Sequence, residues 1–216
     1  MKYIKKNSEP GKFSNWKALE NDDWKPNWDD NFQKPEKAIV HDSLLQEQGY
    51  ICCYCGMRIT RETSHIEHLK PRSHYQHLAL EYTNLIASCQ GESEEPPPVP
   101  VHCGHHKKYW YDELLMVSPL EINCTDFFKY PASGEIQPTD DPAKQAAAKT
   151  TIEKLALDIN KLQNMRKVAI DAALMGIEDL TDEEIQQLAE GYNQVDENGQ
   201  YTPFCAAIIY LLKNYF

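Results

Sequence analysis

Five cysteines crowded into one short stretch, Cys52, Cys53, Cys55, Cys89 and Cys103, constrain this chain more than any other feature. A reducing compartment favours metal over disulfides for thiols clustered this way. Tetrahedral zinc is normally held by two knuckles of two cysteines each. Cys52 and Cys55 form the first as a Cys-x-x-Cys pair, and Cys89 and Cys103 supply two more thiols. Thirteen residues separate the second pair, and a loop containing three consecutive prolines absorbs that distance. The expectation is one structural Zn²⁺ on Cys52, Cys55, Cys89 and Cys103, with Cys53 left to packing. A redox pair at Cys52 and Cys55 is the alternative, but the motif does not open a helix in a βαβ context.

A metal staple suits a small core, and the 216 residues allow either one domain or a small module with a helical extension. Hydrophobic residues make up 41% and charged residues 25%, ordinary for a soluble globular protein. No apolar run approaches the ~20 residues of a membrane helix. The start, MKYIKKNSEPGKF, has basic residues with no apolar run behind them, unlike a secretory signal. The expected location is cytoplasmic, with no membrane partner. The net charge of -11 opposes simple nucleic-acid binding, which draws on Lys and Arg. Much of the acid lies in residues 20–30 and 178–197, whereas Lys70, Arg72, Lys107 and Lys108 flank a histidine-rich region. Either an acidic body carries a small basic working face, or a partner supplies the grip.

Three regions emerge. Residues 1–34 read as an irregular arm, punctuated by prolines; its aromatics Phe13, Trp16, Trp24, Trp28 and Phe32 either pack on the arm's own domain or anchor a partner. Residues 35–130 hold the chemistry. A helix is expected from Pro35 to Gln48, with Ala38, Ile39, Leu44 and Leu45 inward and Gly49 as its stop. Short strands are expected at Tyr50–Cys52 and Ser64–Leu69, with another apolar segment at Asn84–Ile86. The insertion GESEEPPPVPV cannot be regular structure. A helix is expected after Gly104, through Trp110. Residues 131–216 read as helical: an Asp141–Pro142 start with an apolar stripe to about Gly176, a capping box at Thr181 and Glu184, and a last helix from Thr202–Pro203 to the end.

Seven of the eight histidines lie between positions 65 and 106. The blocks CCYCG at 52–56, IEHLKPRS at 66–73, YTNLIASC at 82–89 and HCGHHKK at 102–108 follow one another in order. In this order and approximate spacing they resemble the HNH (ββα-metal) endonuclease family, over about residues 45–112. The resemblance implies an α+β fold: a small zinc-stapled ββα-metal core with an irregular N-terminal arm and a helical C-terminal part. It also implies an endonuclease in which His68 is the general base, with an ordinary pKa near ~6.5 suited to neutral pH. Glu67 and His105 would hold one Mg²⁺ or Mn²⁺ ion, leaving positions open for phosphate and water. His106 is the alternative ligand, but His105 leaves Lys107 nearer its expected place. Asn84 would pin the loop between the strands through backbone hydrogen bonds. Lys70, Arg72 and Lys107 would clamp the nucleic-acid backbone, and His65 and His74 would be either phosphate contacts or solvated.

The loop spacing and the delayed HCG further resemble a subgroup from bacterial anti-phage defence, the Septu and retron-associated HNH proteins, which work with an ABC-type ATPase subunit (PtuA-like) in a hetero-oligomer. Two readings compete with a nuclease. A non-catalytic zinc-stapled module recruiting a partner or nucleic acid has no need of a Glu67–His68 pair. A zinc hydrolase with three histidine ligands lacks the required helical spacing.

Overall fold

The computed structural model describes residues 1–90 and 100–215. Most of the proline-rich insertion, residues 91–99, lies outside them.

The N-terminal stretch is irregular apart from one short helix, α1 (Gly11–Lys17). Phe13, Trp16 and Phe32 are buried in the main core, so the arm is packed against the chain itself. Helix α2 (Glu36–Glu47) follows Pro35 and ends before Gly49. Its inward face is Val40, His41, Leu44 and Leu45; Ala38 and Ile39 are only partly covered. The face is turned because the buried His41 ring bonds Ser64 Oγ at 2.9 Å, bringing the helix onto the strand that Ser64 begins.

The expected strand at Tyr50–Cys52 shrinks to a single bridge between Ile51 and Arg58. Tyr50 has φ of 59°, incompatible with a continuous strand, and the Arg58 guanidinium takes up the Gly49 and Tyr50 carbonyls at 3.2 Å. Strands β1 (Ser64–His68) and β2 (Leu85–Cys89) form an antiparallel pair running from Ser64↔Cys89 to His68↔Leu85. All ten residues are buried, so the hairpin is covered on both faces. The free edge of β2 is closed by Gln48, whose side chain accepts from Ala87 N at 2.7 Å and donates to Ala87 O at 2.9 Å.

Helix α3 (Gly104–Lys107) completes a ββα unit. It is shorter than the sequence suggests. Lys107 turns its side chain back into the hairpin, and Lys108 at φ 52° breaks the helical path, so Tyr109 and Trp110 lie beyond it. A two-residue ladder, β3 (Phe128–Lys129) with β4 (Gln137–Pro138), leads to the C-terminal helices.

The apolar stripe after Asp141 is two helices, α4 (Pro142–Leu155) and α5 (Asn160–Ala173). Ala156 adopts a left-handed conformation, φ 49° and ψ 48°, which lets both Leu155 and Leu157 bury completely. The buried Arg166 stabilises the break by donating to Leu157 O at 2.9 Å and Gly134 O at 2.7 Å. Helix α6 (Asp182–Tyr192) starts at a full Thr181–Glu184 capping box, and α7 (Cys205–Asn214) closes the fold against α6 and α5. One hydrophobic cluster joins residues from Met1 to Leu212. No helix among the described residues is long and apolar enough to cross a membrane.

Candidate active site

The four thiols meet beside the hairpin. Gly56, at φ 81°, turns the chain behind Cys55 and returns its N–H to Cys52 O at 3.0 Å, making the knuckle. The end of β2 delivers Cys89, and the residue before α3 delivers Cys103. All four are buried, with ligand atoms within 4.8 Å of one another. A tetrahedron with metal–sulfur bonds of ~2.3 Å has edges of about 3.8 Å. The Cys55–Cys89 sulfur separation of 3.9 Å fits it. Burial opposes ionisation of Cys52, but hydrogen bonds from Cys103, Cys53 and its other neighbours outweigh it and hold that thiol well below its ordinary pKa. The cluster can hold a metal ion. Cys53 is buried outside it.

Beside the cluster, β1 ends in Glu67 and His68, which floor a cleft of about 780 Å³. Burial alone would raise the Glu67 pKa, but the His65 hydrogen bond and the Lys107 charge outweigh it and keep the carboxyl ionised. One carboxylate oxygen accepts from Lys107 Nζ at 2.7 Å; the other faces His65 Nε2 at 3.4 Å. The His65 ring lies 4.4 Å from that of His105. Gly104 is required here, since a Cβ would come within 2.7 Å of His65 Nε2 and 2.8 Å of the Glu67 oxygen. Glu67, His65 and His105 therefore share one small polar space. Among the described residues only the four thiols bring three or more ligand atoms within that mutual distance, so this space offers a divalent ion few protein ligands. His106 is turned away, with Nδ1 on Lys154 O at 2.9 Å.

His68 Nε2 is 3.0 Å from Ala79 O. A carbonyl only accepts, so Nε2 carries the proton and Nδ1 is the acceptor nitrogen. Burial pushes the His68 pKa down to about 4, so the ring is neutral at physiological pH. The carbonyl is held in place by the loop over residues 69–84. There Asn84 Oδ1 accepts from Lys70 N at 2.8 Å, and Asn84 Nδ2 donates to Lys70 O at 3.0 Å and Leu78 O at 3.3 Å.

The three cations separate. Arg72 lines the cleft but is ion-paired with Asp29, and Lys70 reaches Glu113 at 2.9 Å on the surface. Lys107, read from sequence as a backbone clamp, is completely buried: its ammonium bridges Glu67 and His68 O, at 2.7 and 2.9 Å, so it faces inward.

No protein-family profile matches the chain. It is 31% identical to the "Retron Vc95 putative HNH endonuclease" of Vibrio cholerae over 140 residues, 62% of this chain and 65% of that protein. The chain is similar to proteins named as retron putative HNH endonucleases. It is also 27% identical to the "Retron Ec83 putative HNH endonuclease" of Escherichia coli, over 77% of the chain and 78% of the relative. Septu protein PtuB of Bacillus thuringiensis is 25% identical over 61% of the chain and 58% of its own length. The chain thus spans less than two thirds of the Vc95 and PtuB relatives it matches.

The placement of three residues at this site differs from the sequence reading or goes beyond it. His65, expected to contact phosphate or solvent, is buried beside Glu67; the signal was available, since residues two apart on a strand share a face. His102 is buried with Nδ1 3.2 Å from Cys103 Sγ and 3.5 Å from Cys89 Sγ. Trp28 meets the His68 ring at 4.2 Å, and no local pattern marks that contact.

Proposed function

We propose that the protein is an HNH endonuclease hydrolysing phosphodiester bonds in nucleic acid, with His68 as general base. The observation carrying this reading is the Glu67–His68 pair at the end of β1, on a cleft floor beside a four-thiol staple, with Nδ1 the accepting nitrogen of His68. In this mechanism Nδ1 removes a proton from the attacking water, and the Nε2–H bond to Ala79 O steadies the imidazolium that forms. Glu67, through the oxygen not held by Lys107, and His105 would hold Mg²⁺ or Mn²⁺. That ion supplies Lewis-acid stabilisation of the charge developing on the phosphate. Lys107 fixes the rotamer of Glu67, and Asn84 fixes the loop that carries Ala79. Zn²⁺ on Cys52, Cys55, Cys89 and Cys103 is structural. Arg72 grips a phosphate once Asp29 is displaced; an exposed pair of this kind is worth about 0–1 kcal/mol and yields readily.

The relatives named for retron and Septu systems support a setting in anti-phage defence. The further reading is an assembly with an ABC-type ATPase (PtuA-like), which supplies the nucleic-acid grip that a chain of charge -11 lacks.

His68→Ala tests the chemistry. Cleavage by the co-expressed assembly in Mn²⁺ falls by at least about 100-fold, while zinc content and the far-ultraviolet spectrum stay unchanged. Wild-type cleavage in that variant overturns the base assignment, and no cleavage by the wild-type assembly favours a non-catalytic zinc module. Cleavage by the isolated chain as fast as by the co-expressed material overturns the partner reading alone.

A further inference from the structure

A single hydrogen bond does not hold an imidazole in place. The Nε2 bond to Ala79 O fixes one atom of His68, and it lasts only while the side chain is kept from turning about its Cα–Cβ and Cβ–Cγ bonds. The second contact comes from outside the hairpin: the Trp28 indole meets the ring at a centroid distance of 4.2 Å and an interplanar angle of 72°. Such an edge-to-face contact orients as well as packs.

Trp28 is itself held from three directions. Asn27 Oδ1 accepts from Asp29 N at 2.8 Å and Asp30 N at 3.2 Å, and Asn27 O accepts from Phe32 N at 2.9 Å, closing a tight turn around the indole. Phe32, buried against Phe13 and Trp16 at 5.2 and 5.4 Å, stacks behind Trp28 at 4.8 Å. Asp29 reaches across the cleft to Arg72. The hydrophobic core thus reaches the imidazole through Phe32 and then Trp28.

We infer that Trp28 is a positioning residue for His68. It keeps the ring seated on the Ala79 carbonyl, so that Nε2 carries the proton and Nδ1 is left to accept. This rests on the reading of His68 as general base. The partner-anchor role considered for the arm's aromatics is not needed to explain Trp28, because its ring is already engaged.

The test uses the full zinc-loaded chain, ¹⁵N-labelled at histidine, as wild type, Trp28→Ala, Trp28→Phe and Trp28→Leu. Long-range ¹⁵N spectra at pH 8 report the neutral tautomer directly. Wild type and Trp28→Phe give one His68 species protonated at Nε2. Trp28→Ala and Trp28→Leu give a broadened or mixed pair, with zinc content unchanged in Trp28→Leu, which keeps an apolar side chain at the site. In the co-expressed assembly, with plasmid DNA and structured RNA as substrates, kcat falls about 10- to 100-fold in Trp28→Ala with KM within about twofold, and Trp28→Phe recovers most of it. An unaltered His68 tautomer in Trp28→Ala and Trp28→Leu overturns the inference. So does a rise in KM at constant kcat, which assigns Trp28 to substrate stacking. If His68→Ala retains activity, the base reading fails by itself, and the spectra still decide whether Trp28 holds the ring.

Discussion

Lys107 shows how one side chain can be read correctly as important and wrongly as exposed. Its place behind HCGHH suggested a surface cation, but its ammonium is sealed between Glu67 and the His68 carbonyl. Removing one partner of a buried ion pair leaves an uncompensated charge and costs about 3–5 kcal/mol. Lys107→Met should therefore lose stability of that order in urea denaturation without added Mn²⁺. Added Mn²⁺ should restore part of the loss, because an ion on Glu67 replaces the missing charge. No recovery with Mn²⁺ would count against Glu67 as a ligand. The residue types of the site were legible because carboxylate, imidazole and thiol have few other uses at such density. Their burial was not, since the fate of a lysine side chain depends on which way a four-residue helix turns.

The hairpin was legible as a strand at Ser64–Leu69 and an apolar segment at Asn84–Ile86 before Cys89, and the loop between them was legible through Asn84. Replacing Asn84 with Ala deletes three side-chain hydrogen bonds to the backbone of residues 70 and 78. Several bonds at about 1 kcal/mol each predict a loss of about 2–3 kcal/mol. Cleavage should fall further than stability does, because Ala79, which carries the carbonyl for His68, belongs to the freed loop. Thermal melts and initial rates compared at one temperature separate the two. Helix lengths were less legible. The stripe from Ile152 to Ala173 keeps helical spacing across a break at Ala156, because residues on either side bury into the same core. A period reports which residues face inward, and a left-handed residue can interrupt it without changing that face. The C-terminal capping box was readable from two residues because its hydrogen bonds are local.

At the scale of the whole molecule, polar ties that no periodicity reveals brace the C-terminal helices and join them to the hairpin. Arg166 is among the largest fully buried side chains of the described residues, and it donates to carbonyls of residues 134 and 157. Arg166→Met leaves both acceptors buried without donors, so a loss of about 2–5 kcal/mol is expected in chemical denaturation with the zinc site intact. A loss below ~1 kcal/mol would mean that water replaces the guanidinium. The second tie runs through the metal cluster. Cys103 N donates to Leu155 O at 2.8 Å, at the end of α4, while Gly104 N donates to Ser88 Oγ at 3.1 Å in β2. One short turn therefore touches the thiol cluster, the hairpin and the C-terminal helices. Stripping the metal should then produce a single rise in amide hydrogen exchange spanning β1, β2 and α4 together, where separate lodgings would give two rises at different chelator exposures. On the proposed zinc assignment, such a rivet would make metal supply a control on the whole body: a cell that withholds zinc would disarm the cleft and expose the helices to proteolysis in the same event.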